Sequence, residues 1–198
     1  MIWAKVKPNH VRSSNVFCVK KYGASNFKYT QLPICQLLRK KNLYFCKMVK
    51  IEIYTDGSYD NDTNKGAWAA IIFIDDKKNI LSGKASNSTH NRMEITAVIE
   101  AISFVKIHCK NTCCNIIIFS DSQYVVGLPE RQTKIQSQDF VTKKGKTLNN
   151  TDLIKTFFEA LAFQPTSLVK VKAHQKKTDV ENHNIEVDRL CRKLVREG

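Results

Sequence analysis

Apolar residues recur along this chain at two different spacings. Ile51, Ile53 and Thr55 alternate with Glu52, Tyr54 and Asp56, the period of a strand with one face buried. After the polar loop DNDTNKG, Ala67 to Asp75 form an apolar run suited to a central strand. Asp76-Lys77-Lys78-Asn79 then reads as a hairpin turn into a third strand, ILSGKAS. Three consecutive strands therefore meander antiparallel. From Arg92 to Lys110 the spacing changes, and Met93, Ala97, Ala101, Phe104 and Val105 mark a wide apolar helical face. The strand Ile116 to Asp121 follows, apolar until Ser120-Asp121, as in a parallel strand covered on both faces.

Ser122 to Val126 make a short helix, stopped by Gly127 and Pro129. A polar stretch from Glu130 to Asn150 contains KKGK, Lys143 to Lys146. Thr151 caps the helical pattern TDLIKTFFEALAF. Ser167 to His174 alternate as a last strand, and NIEVDRLCRKLVRE forms the final helix. The order βββ-α-β-α-α-β-α predicts an α/β protein. Its five-stranded mixed sheet has three antiparallel strands, then two parallel ones, with helices on its faces.

Charge changes this picture by dividing the chain. The 198 residues carry a formal charge of +14, which points to a polyanionic partner, nucleic acid before a membrane surface. Residues 1–47 hold ten Lys or Arg and no Asp or Glu, whereas residues 48–198 hold 22 basic and 18 acidic residues. The folded domain is thus expected at 48–198. Three readings compete for the basic segment 1–47: a nucleic-acid-binding arm, an organelle presequence, or an upstream extension with Met48 as the working start. No run approaches the roughly 18 apolar residues of a membrane span. Seven cysteines without a CxxC pair read as free thiols in a reducing compartment. The expected location is cytoplasmic, with organelle targeting through residues 1–47 as the alternative.

Acidic residues sit at the ends of predicted elements. Asp56 ends the first strand, Glu94 lies in the first turn of the long helix, Asp121 ends the fourth strand, and Asp188 lies about one turn into the last helix. Each has a plain alternative: Asp56 in a turn with Gly57 and Ser58, Glu94 favoured by the helix dipole, Asp121 as a helix cap, Asp188 on a solvated face. If the first and fourth strands are neighbours, these acids share one rim, where ligands of open α/β sheets bind. Converging carboxylates repel unless cations lie between them, and an oxygen-only donor set favours Mg²⁺ or Mn²⁺.

TDGS (Thr55 to Ser58), NRMEI (Asn91 to Ile95), SDSQYV (Ser120 to Val125) and KAHQ…NxxxD (Lys172 to Gln175, then Asn184 to Asp188) resemble, in order, the motifs of type I ribonuclease H. The resemblance covers about residues 49–197. It implies the three-layer ribonuclease H fold and an endonuclease that cuts the RNA strand of an RNA–DNA hybrid, leaving 3′-hydroxyl and 5′-phosphate ends. It implies two Mg²⁺ ions, for which Mn²⁺ can substitute, held by Asp56, Glu94, Asp121 and Asp188. His174 would help to activate water or release product. Asn91 and Gln123 would face the hybrid's minor groove, where 2′-hydroxyls mark RNA. Thr89 and Asn150 would grip a DNA phosphate, Lys143, Lys144 and Lys146 would track the backbone, and Asn184 would lie near the attacking water. The expected protein is a monomer that needs no small-molecule cofactor and no membrane.

The chain departs from the family in four places. The glycine-rich loop after the first strand is YDNDTNKGAW, and the glycine before the active-site histidine is Ala173. The loop from His174 to Asn184 is longer than usual. The basic protrusion lacks tryptophan, with Phe140 the only aromatic from Arg131 to Lys155. Two rival readings remain: an inactive nucleic-acid-binding module, which should lack a carboxylate, and a strand transferase or junction resolvase on the same fold.

Overall fold

The structure is a computed structural model and describes residues 49–109, 112–172 and 182–197. Its strands are β1 (Val49–Asp60), β2 (Lys65–Ile74), β3 (Lys77–Ser86), β4 (Cys114–Ser120) and β5 (Thr166–Lys170). Its helices are α1 (His90–His108), α2 (Gln123–Val126), α3 (Leu128–Ser137), α4 (Thr151–Leu161) and α5 (His183–Arg196). The strands form one sheet in the order β3-β2-β1-β4-β5, antiparallel from β3 to β1 and parallel from β1 to β5.

Strand alternation divides the core between the two faces of the sheet. Ile51, Ile53, Ala70, Ile72, Ile116 and Ile118 pack with α1 and with Ile154, Phe157 and Phe158 of α4. The opposite face buries Ala69 and Ile71 against Val187 and Cys191 of α5. Tyr54 stacks on Phe119 at 4.7 Å on that second face and meets the edge of His183 at 5.1 Å.

Several local expectations are corrected. The β2–β3 turn lies at Asp75-Asp76, both with positive φ (45° and 64°), so Lys77 to Asn79 already belong to β3. Two left-handed residues match the twist of a tight hairpin. Pro129 starts a helix instead of only stopping one: it occupies the first turn of α3, where its missing N–H costs nothing. The polar composition of that segment hid α3, because only Leu128 and Ile135 are buried on it. Asn150, at φ 61°, precedes α4, while the Thr151 hydroxyl donates to the Leu148 carbonyl at 2.7 Å. β5 ends at Lys170, four residues before the expected end at His174.

The largest correction concerns Asp56. It does not end β1, which continues to Asp60 through Gly57 and Ser58, each paired with β2. Gly57 is therefore not a turn residue. A Cβ there would lie 2.3 Å from the Glu94 nitrogen and 2.5 Å from the Met93 carbonyl carbon. Glycine is required because the first turn of α1 rests directly on the strand.

Candidate active site

The β1–β4 ladder ends at the pair Thr55–Ser120. β1 runs on while β4 stops, leaving a notch beside Asp56 with Asp121 as the first residue after β4. This is where β1 changes from an antiparallel to a parallel neighbour, the position at which open mixed sheets bind ligands. Asp56 lies on the side of the sheet that carries Tyr54, so it faces α5 and Asp188. Glu94 reaches the notch from the opposite side, through the close approach that Gly57 permits.

Electrostatics show that the acids converge. Asp56 is 9% exposed, and its carboxyl is pushed up to about 7, first by burial and then by the negative charges of Asp121, Asp188 and, more weakly, Glu94. The Gly57 N–H bonds the carboxylate and opposes this shift. Glu94 is buried at 6% exposed and held from two sides. The Ser122 hydroxyl donates to Glu94 Oε2, and His90 Nε2 lies 3.1 Å from Glu94 Oε1. The hydrogen bond to Glu94, together with the charges of Glu94, Asp56 and Asp121, raises the His90 pKa against the opposing effect of burial. Asp188 accepts from Arg192 Nε at 2.8 Å. The Lys170 ammonium donates to the backbone carbonyl of Asp121, tying the end of β5 to the rim. Beneath the notch, Cys191 Sγ donates to the Asp56 carbonyl at 3.3 Å, and burial pushes its thiol pKa far upward.

Among the described residues, no three His, Cys, Asp or Glu side chains already close into a metal-binding group. Glu94 is turned onto Ser122 and His90, and Asp188 onto Arg192. The donor set nevertheless fits a hard divalent cation, since every group around Asp56 is a carboxylate and their charges add to burial in raising it. Asp56, Glu94, Asp121 and Asp188 would hold it.

The remaining expected site residues are spread around the notch. Thr89 caps α1, its hydroxyl accepting from the Arg92 N–H at 3.3 Å, and Asn91 is exposed in the first turn. Gln123 is exposed at the start of α2. Ser122 is the residue that caps α2, accepting from the Val125 N–H at 3.3 Å, so Asp121 is not consumed as a cap. Asn150 donates to the Tyr124 hydroxyl at 3.4 Å. Arg92 and Asp152 form a two-pronged ion pair at 3.0 and 2.7 Å that joins the first turns of α1 and α4, close in sequence to Thr89 and Asn150. Lys143, Lys144 and Lys146 are exposed in a turn closed by the Val141–Thr147 bridge, with Gly145 at φ 73°. Phe140 is half-buried with the Lys155 ammonium 4.9 Å from its ring centre, so it does not replace the missing tryptophans. Asn184 is buried one turn before Asp188 on α5. His174 lies outside the described residues.

The substituted loop after β1 is an ordered turn. Asp60 accepts from the Asp62 N–H at 3.0 Å and the Thr63 hydroxyl at 2.9 Å, and Tyr59 donates to Asn64 at 3.0 Å. Reading the sequence missed His90, Ser122, Lys170 and Cys191 as parts of the site. His90 was visible in principle, because it stands four residues before Glu94 on the same helical face. Cys191 and Lys170 carried no such signal, since their partners lie 135 and 49 residues away.

A mixed sheet of this order sets acidic side chains around its switch point, where α/β folds bind ligands. Residues 48–196 match the RNase H family. The chain is 35% identical over 151 residues to the ribonuclease H of Chlorobium luteolum, covering 74% of this chain and 95% of that one. It is 32% identical over 152 residues to the ribonuclease H of Caldicellulosiruptor saccharolyticus, covering 76% and 99%. Among solved structures it resembles LC9-RNase H1, a type 1 RNase H with the type 2 active-site motif. There the TM-score is 0.62 at 18% identity, covering 76% of this chain and 74% of that one. LC11-RNase H1 in complex with an RNA/DNA hybrid matches with TM-score 0.56 at 15% identity, covering 74% and 97%. The chain belongs to the ribonuclease H family and is a ribonuclease H hydrolase.

Proposed function

We propose that the chain cleaves the RNA strand of RNA–DNA hybrids endonucleolytically, leaving 5′-phosphate and 3′-hydroxyl ends, with Asp56, Glu94, Asp121 and Asp188 as the metal-binding set. One observation carries the reading: Asp56, buried at the β1–β4 notch, is pushed up to about 7 first by burial and then by the negative charges of Asp121, Asp188 and Glu94. Such an arrangement is costly without a cation and useful with one. Two Mg²⁺ or Mn²⁺ ions bound there would supply a water nucleophile at neutral pH and stabilise the departing 3′-oxygen.

The chain's own residues do the rest. β1 holds Asp56, and the end of β4 together with the Lys170 bond to its carbonyl places Asp121, so the site needs little reorganisation in that direction. Ser122 and His90 hold Glu94 against the rim, and Arg192 holds Asp188. Thr89 and Asn150 grip the DNA strand's phosphate, and the Arg92–Asp152 pair keeps their helices in register. Asn91 and Gln123 read the minor groove, Asn184 orients the attacking water, and Lys143, Lys144 and Lys146 track the backbone. His174 assists water activation or product release. The relatives' names and the hybrid in one structural neighbour support the substrate class.

The test is cleavage of a labelled RNA–DNA hybrid with Mg²⁺, Mn²⁺ or EDTA, beside duplex DNA and duplex RNA. Metal-dependent cutting of the hybrid's RNA strand alone is expected. Tight hybrid binding without cutting in any metal would identify an inactive binding module instead.

A further inference from the structure

The helix that supplies Asp188 also carries a feature the reaction does not use. α5 climbs past the rim of the sheet. His183 packs beside Tyr54 and Phe73, Asp188 stands near Asp56, and Cys191 bonds the Asp56 carbonyl. At 1.5 Å per residue, the last turn continues roughly 7 Å beyond that level, alongside the notch. Its inner face is apolar, with Val187 and Cys191 buried. Its outer side is an open face that runs from Ile185 and Asp188 through Arg189, Arg192, Lys193 and Arg196 to Glu197.

The fold pairs these cations unevenly. Arg192 pairs with Asp188, and Lys193 stands 3.7 Å from Glu197 in a pair that is more than half exposed. Exposed pairs of that kind contribute little. Arg189 and Arg196 are exposed and make no ion pair among the described residues. Cations near a helix C-terminus are favoured by the helix dipole, but that effect is confined to the last turn and does not reach Arg189. Arg189 and Arg196, seven residues apart, lie on one side of α5, the spacing of a stripe along the helix.

We infer that this stripe is a second backbone track: Arg189, Lys193 and Arg196 bind the phosphodiester backbone of the hybrid as it leaves the notch beside Asp188. The occupant is chosen by charge and by continuity, because Asp188 of the catalytic rim lies on the same helical face as the cations. The inference rests on the proposed hybrid substrate. It adds a contact surface on the face of the sheet opposite α1, where the family motifs place no phosphate-binding residue.

The experiment compares the full chain with the triple variant Arg189→Gln, Lys193→Gln, Arg196→Gln, and with the charge-keeping variant Arg189→Lys, Lys193→Arg, Arg196→Lys. Arg192 is left intact because it touches Asp188. KM and kcat for hybrid cleavage in Mg²⁺ are measured across a KCl series, and anisotropy of the labelled hybrid gives its Kd under the same salts. The neutral variant should show KM and Kd raised on the order of tenfold, kcat kept, and a log–log salt slope shallower by about two to three. The charge-keeping variant should follow the parent. Since phosphates carry no sequence, plain duplex DNA should lose affinity by a similar factor. An unchanged salt slope in the neutral variant would overturn the track while leaving the cleavage reading intact. If the parent chain bound the hybrid without cutting it, the cleavage reading would fail, and the anisotropy slopes would still decide the track.

Discussion

The two helices that flank β1 each bring one acid to the same notch, yet they are built in opposite ways. α1 is apolar around much of its surface, because it packs between the sheet and α4, and nine of its residues from Met93 to Val105 are buried. Its acid, Glu94, is buried with it and needs two partners, Ser122 and His90. α5 buries a narrow stripe and leaves its outer side to charge. Its acid, Asp188, keeps a side chain that is 31% exposed and is tethered by one arginine on the same helix. A buried carboxylate must be held by the fold, whereas an exposed one is held by water and a local ion pair. The site therefore joins a rigid half on the α1 side to a lightly held half on the α5 side.

The largest effect should come from the position both helices serve. Asp56→Asn is expected to lower kcat by at least about a thousandfold, in line with losing a major electrostatic contribution to catalysis. The same variant should be more stable than the parent when metal is absent. Asp56 is raised above its unfolded value near 4, so its favourable contribution is complete below about pH 4 and is lost as pH rises towards 7. Metal-free melting of the parent should fall across that window by roughly 1–3 kcal/mol of stability, and the Asn variant should lack this fall. Added Mg²⁺ should restore most of the loss at neutral pH. A parent whose metal-free stability falls no more than that of the Asn variant between pH 4 and 7 would show that Asp56 is not raised.

Gly57→Ala attacks the rigid half. With backbone atoms of Met93 and Glu94 within 2.5 Å of the added carbon, we expect a cost of about 3 kcal/mol, read as a lower denaturation midpoint, with loss of cleavage. Removing single partners of the two helical acids should then separate the halves. Ser122→Ala deprives a buried carboxylate of a donor and removes the cap of α2, which should cost roughly 1–3 kcal/mol. Arg192→Ala removes an exposed pair and should cost below about 1 kcal/mol in urea unfolding. Equal costs for the two would undo the distinction between a buried and an open half.

The smallest expected effect lies beneath Asp56. The Thr55 hydroxyl is buried with no hydrogen-bond partner among the described residues. Thr55→Val keeps the shape and removes the unpaired group, so stability should be unchanged or higher by about 1 kcal/mol. A loss of that size or more would mean that the hydroxyl is satisfied in solution.

Much of this was legible along the chain because it depends on neighbours in sequence. Alternation at Ile51 to Asp56 and helical spacing from Met93 to Val105 each report a face that must be buried, so the strands, α1, α4, α5 and a sheet antiparallel first and parallel later followed. The four acids were singled out by the motifs around them and by expected element ends, although Asp56 lies inside its strand. The identity of Gly57 was read, but its reason was not. A glycine after an aspartate favours a turn by local preference, and only the packing of α1 on β1 turns it into a straight strand that could carry no side chain. α3 escaped for the converse reason, since a helix that buries only Leu128 and Ile135 leaves almost no periodic signal.

What the sequence determined by itself, then, is every element but α3 and the presence of four acids in a fixed order, because local periodicity and short motifs suffice for both. What only the tertiary structure decided is how those acids are held. The raised pKa of Asp56, the hold of Ser122 on Glu94, and the bond from Cys191 to the Asp56 carbonyl depend on burial or on contacts between elements. So does the course of α5 past the rim. Burial and charge proximity are properties of three-dimensional distance, and no spacing along the chain encodes them.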